Sequence, residues 1–137
     1  MTRKVAAALI LFVAAAFASG ANAQDSIAGT WEGSYDCVQG KTGLTLTIGG
    51  GARNEGLNGN FRFYPVPGNA RAASGDYDVA VSFDPQTLRV VVRGTRWVNQ
   101  PEGYIFANLS GVVQGRQLIG TVDTEGCGAF ELTRKGN

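Results

Sequence analysis

From Thr30 to Thr133, apolar side chains recur at every second position in short runs broken by Gly, Pro, Asn and Asp. That is the period of a strand with one buried face. The 3.6-residue recurrence of a helix is absent from this stretch. Such a chain can fill a core only by folding sheet against sheet, or by closing one sheet on itself.

Eight runs qualify as strands: Thr30–Cys37, Thr42–Ile48, Leu57–Tyr64, Gly75–Phe83, Leu88–Trp97, Tyr104–Val113, Gln117–Val122 and Cys127–Thr133. Alternation turns Trp31, Tyr35, Leu44, Leu46, Ile48, Phe61, Phe63, Tyr77, Val79, Val81, Phe83, Leu88, Val90 and Val92 inward. The fourth and fifth runs read as a hairpin around Asp84-Pro85-Gln86-Thr87, because Pro suits the first central position of a type I turn. Pairing Phe83 with Leu88 then matches the inward faces and sets Asp78 opposite Arg93 on the outer face. The sixth run is apolar on both faces.

The N-terminus has a different character. Arg3 and Lys4 precede an apolar run from Val5 to Phe17, and Ala21 and Ala23 form a small-x-small site. These are the three parts of a secretory signal peptide, with cleavage expected before Gln24. The apolar run is shorter than the roughly 20 residues that span a bilayer. No Cys stands at the cleavage point to carry a lipid. The expected product is residues 24–137 as one domain, periplasmic or secreted, with no membrane insertion after cleavage.

That part carries ten basic and eleven acidic residues, a net charge of −1, which gives no support for nucleic-acid binding. Its two cysteines, Cys37 and Cys127, are an even pair in an oxidising compartment and are expected to form a disulfide. A two-thiol metal site lacks further ligands, since the chain has no His. Cys37 ends the first run and Cys127 begins the last. In an up-and-down barrel those two strand ends meet, so the bond ties the closing seam and leaves no open sheet edge. The expected fold is therefore all-β: a small eight-stranded antiparallel barrel closed by one disulfide.

The absence of His also removes the usual base for a Ser or Cys nucleophile. The carboxylate pairs Glu32/Asp36 and Asp76/Asp78 fall on outward positions, where solvated surface charge accounts for them. Gly49-Gly50-Gly51 does not open a helix and reads as a hairpin loop, not a phosphate cradle. Neither a cofactor nor a metal is expected, and the chain reads as non-catalytic.

Two loops are candidates for recognition. Trp97 to Tyr104 gathers two large aromatics around a Pro-Glu-Gly turn beside Arg96, and these residue types are enriched at interface hot spots. The plainer reading is that both aromatics fold back to cap the barrel end. Pro65 to Ser74 is long for a hairpin connection.

Three resemblances add to this reading. Gly29-Thr30-Trp31 resembles the Gly-x-Trp that opens lipocalin-type barrels, whose Trp plugs one end. This implies a lipocalin-like barrel. The run Trp31-Glu32-Gly33-Ser34-Tyr35-Asp36-Cys37-Val38-Gln39-Gly40 continues into Thr42-Gly43-Leu44-Thr45-Leu46-Thr47-Ile48. With Phe61-Arg62-Phe63-Tyr64-Pro65, the stretch from Trp97 to Tyr104 and Cys127, it resembles a domain of secreted bacterial proteins found alone or after a caspase-like peptidase. That resemblance brings no activity with it. Finally, Tyr35-Asp36-Cys37, Ser74-Gly75-Asp76-Tyr77 and Arg93-Gly94 are similar to the Tyr-x-Cys, the Ser-Gly-x-x-Tyr (here one residue shorter) and the basic-Gly pair of C-type lysozyme inhibitors. In that family the loop Ser and the basic residue enter a carboxylate-lined cleft.

The resulting expectation is an exported binding module, in one form an inhibitor of a foreign hydrolase such as lysozyme. Its candidate partner-binding residues are Ser74, Tyr77, Arg93, Arg96, Trp97 and Tyr104. A carrier of a small apolar ligand and a structural envelope protein are the alternatives. An eight-stranded barrel either fills with side chains or holds one small ligand, and the many inward aromatics favour the filled form.

Overall fold

The computed structural model describes residues 8, 27–49 and 56–136. Apart from residue 8, the expected signal peptide lies outside them, as does the tip of the Gly-rich turn, residues 50–55. Eight strands form: β1 (Gly29–Cys37), β2 (Gly40–Ile48), β3 (Leu57–Tyr64), β4 (Gly75–Asp84), β5 (Arg89–Asn99), β6 (Leu109–Gln114), β7 (Gln117–Val122) and β8 (Ala129–Arg134). Each pairs antiparallel with its neighbours in the chain, and β1 pairs with β8 to close the barrel. Among the described residues no helix is long and apolar enough to cross a membrane.

Alternation predicts the interior well. Trp31, Leu44, Leu46, Phe61, Phe63, Tyr77, Leu109, Leu118 and Leu132 are fully buried. Phe61 stacks on Tyr77 at 4.6 Å and meets Tyr35 edge-on at 5.4 Å, so rings fill the axis of the barrel. At the seam, Gly33 faces Leu132, and a Cβ there would collide with the backbone carbonyl of Glu131.

The two ends are closed differently. At the end where β1 begins, Ile27 is buried and its carbonyl accepts a bond from Trp31 Nε1 at 3.0 Å. The Arg134 guanidinium lies 4.3 Å from the centre of the Trp31 ring and donates to the Ala28 carbonyl at 2.8 Å. At the other end Cys37 and Cys127 are joined. Cys127 lies two residues before β8, not on it as the sequence pattern suggests. The bond therefore extends the seam beyond its last ladder pair, Tyr35 with Phe130, with Gly128 N–H donating to the Asp36 carbonyl between them.

The β4–β5 hairpin departs from the expected register. Phe83 faces Val90 and Val81 faces Val92, a slip of two residues. The turn is longer than the Asp-Pro-Gln-Thr pattern implies: Leu88 N–H closes on the Asp84 carbonyl at 2.7 Å, and Leu88 takes a left-handed φ of 63°. Gln86 N–H also binds the Asp84 carboxylate at 2.9 Å and helps hold its pKa below the usual value. An even slip preserves the inward faces, so the core forms as expected. Leu88 itself is exposed rather than inward. Asp78 pairs with Arg96 at 2.8 Å, and Arg93 lies opposite Ala80.

The disulfide closes a sequence separation of 90 residues. Restricting so long a loop stabilises the fold by at most about 4–5 kcal/mol in the chain-entropy account. Reduction is therefore expected to lower the melting temperature by roughly 8–16 °C, taking about 2–4 kcal/mol as realised. Calorimetry with and without reductant checks this; an unchanged melting temperature would contradict it.

Candidate functional site

The two longest connections, residues 65–74 and 100–108, leave the same end of the barrel as the disulfide. The Val38–Gln39 turn and residues 123–128 leave it too. This end is where the sequence and the structure differ most. The sixth run, expected from Tyr104, becomes a strand only at Leu109. Its first five residues instead cross the barrel mouth.

The crossing segment is irregular, so its backbone groups need partners other than a ladder. Side chains supply them. Tyr77 reaches up from β4, donates its hydroxyl to the Ala107 carbonyl at 2.9 Å and accepts the Ala107 N–H at 3.0 Å. Thr124 Oγ1 donates to the Phe106 carbonyl at 3.1 Å. Asn108 accepts Gly94 N–H on its side-chain oxygen at 2.9 Å, while its carbonyl accepts Asp123 N–H at 2.7 Å. Tyr104 Oη accepts Ala73 N–H at 3.0 Å, which ties this segment to the 65–74 loop. That loop is also held by Asn69, whose amide donates to the Gln39 and Lys41 carbonyls at 2.8 Å each. The rim is thus bound together across all four connections.

Apolar packing follows the same plan. Tyr104 stacks on Phe63 at 5.2 Å, and Phe106 stacks on Trp97 at 5.2 Å. Phe106 lies over Gly94, where any Cβ would collide with its ring. Trp97 meets Tyr77 edge-on at 4.8 Å. Both aromatics of the Trp97–Tyr104 stretch therefore fold back over the barrel end, half-buried.

The predicted partner-binding residues separate. Ser74 is exposed on the rim, in a shallow hollow shared with Arg62, Asp76 and Asn99. Arg93 is exposed on the barrel wall opposite Ala80, six residues along β4 from Ser74, or about 20 Å at the usual strand rise. Ser74 and Arg93 are not brought together. Arg96 is exposed and ion-paired with Asp78. Tyr77 is only 1% exposed and belongs to the core, so it acts on the rim from beneath.

Two rim residues escape the sequence pattern. Val38 and Ile105 are 82% and 69% exposed, large apolar side chains on the barrel's disulfide end. They flank a cleft of about 130 Å³ floored by Tyr35, Phe106 and the disulfide. Ile105 is read as half of a two-sided strand because its neighbours are apolar. Val38 gives no signal beyond its place after Cys37.

Among the described residues no group of three His, Cys, Asp or Glu side chains is placed to hold a metal. No family model, no curated protein and no solved structure matches the chain.

Two buried phenols give the site a pH signature. Burial raises the Tyr35 pKa, helped by the nearby Tyr104 phenol and opposed by bonds with Gln39 and Thr42. Burial also raises that of Tyr77, against the bond to Ala107. Above the unfolded value of 10.0 the unfolded chain therefore binds fewer protons than the folded one. Their contribution to stability is complete below that pH and is lost as pH rises beyond it. Ultraviolet titration is expected to show two of the four tyrosines ionising only as the barrel unfolds. Ionisation of all four with the fold intact would contradict this.

Proposed function

We propose that the chain is an exported, non-catalytic binding module that engages a protein partner through the loops at its disulfide end. Its most concrete form is an inhibitor of a hydrolase such as C-type lysozyme. The observation that carries the reading is the gathering of the two longest connections, the disulfide and two exposed apolar side chains at one end, on a rim cross-linked by hydrogen bonds. A rim held in advance loses little freedom on binding, which favours affinity.

The carrier alternative needs a hollow interior, and the axis is occupied by Trp31, Tyr35, Phe61 and Tyr77. Support for the inhibitor form comes from the resemblance at Tyr35-Asp36-Cys37 and from Ser74, which stands exposed on this rim. Arg62 lines the same hollow as Ser74, and in this reading it takes the part that the resemblance gives to the basic residue of Arg93-Gly94.

A cell-wall clearing assay with residues 24–137 and a C-type lysozyme tests this. Inhibition is expected from the natural chain and from Arg93→Glu, and is expected to fall at least tenfold with Ser74→Arg, a steric block at the contact. Absence of inhibition at large molar excess would exclude this lysozyme class as the partner.

A further inference from the structure

The cleft beside the disulfide has a size, a lining and a charge that together specify an occupant. Its volume of about 130 Å³ is far below the roughly 300–1,000 Å³ of a drug-sized ligand site. It is close to the cavity of about 150 Å³ that holds a single benzene ring. The lining is mostly apolar, with Gln39 and Thr124 as its uncharged polar members, and Val38 and Ile105 stand exposed beside the mouth. Tyr35 adds no charge, since a phenol is protonated at neutral pH.

One charge lines the cleft, the carboxylate of Glu125. It is exposed and makes no ion pair among the described residues. Glu102, next to the lining residue Gly103, adds a second negative charge to the rim.

We infer that this cleft is the anchor pocket for a protein partner: it takes one aromatic or branched aliphatic side chain of a segment whose adjacent residue is Lys or Arg. The inference rests on the reading of the disulfide end as a protein-binding face. The pocket is too small for a lipid or a cofactor but has the size of a single interface anchor. Such anchors sit in desolvated pockets ringed by contacts that exclude water. Val38 and Ile105 supply part of that ring, and Glu125 supplies the preference for a neighbouring cation.

The test is a nuclear magnetic resonance titration of residues 24–137 with three probes: acetyl-Phe-Lys-amide, acetyl-Phe-Glu-amide and phenethylamine. Saturable shifts are expected at the amides of Val38, Ile105 and Glu125. The Lys peptide should bind about threefold tighter than the Glu peptide, the size an exposed ion pair confers. Glu125→Gln should reduce that preference while keeping the binding, and Glu125→Gln with Glu102→Gln should remove it. Ile105→Asp, at an exposed position where the fold is not at stake, should abolish saturation.

Shifts elsewhere, or equal binding of the two peptides, would overturn the inference. Phenethylamine binding as tightly as the Lys peptide would also overturn it, because the site would then be one for free amines. The clearing assay is independent of these probes. Inhibition with a silent cleft would remove the anchor pocket and leave the binding module standing. A filled cleft without inhibition would remove lysozyme and leave the pocket.

Discussion

The barrel mouth depends on one side chain. Tyr77 is buried near the mouth end of β4 with its ring stacked on Phe61, and its hydroxyl both donates to and accepts from the backbone of Ala107. A five-residue segment with no ladder partner is unfavourable to bury, because each unpaired amide costs about 1–3 kcal/mol. The tyrosine satisfies two such groups at once. Phe106 and Tyr104 can then drop onto Trp97 and Phe63, and the rim takes a fixed shape.

On the proposed reading, stability and recognition are separated along the barrel axis. At one end Arg134, Trp31 and Ile27 complete the core. Along the axis the rings of Tyr35, Phe61 and Tyr77 pack against one another. At the other end the loops are tied by hydrogen bonds rather than by sheet, so they can present Val38, Ile105 and Glu125 without losing order. The disulfide belongs to both parts, for it extends the β1–β8 seam and forms part of the cleft floor.

The barrel and its disulfide were legible from period-two alternation and from the two cysteines at the ends of the first and last runs. The strand faces were legible even where the register was not. Leu88 shows why: its left-handed turn lengthens the hairpin by an even number of residues, which alternation cannot detect. Tyr104 to Asn108 shows a second limit. Its composition suits a strand, but side chains distant in sequence, Tyr77 and Thr124, satisfy its backbone instead. Proximity in space is a third limit. Arg93 and Ser74 match a motif along the chain, yet lie far apart on the barrel, whereas Arg62 and Ser74 share a hollow.

The most direct test of this account is native-state hydrogen exchange at the Ala107 amide, in the natural chain and in Tyr77→Phe. If Tyr77 holds the mouth, this amide exchanges as slowly as core strand amides, despite lying outside any ladder. In Tyr77→Phe it exchanges at least tenfold faster than the loss of global stability explains. Exchange in the natural chain at the rate of an exposed loop amide would contradict the account, because the rim would then have no fixed shape to offer a partner.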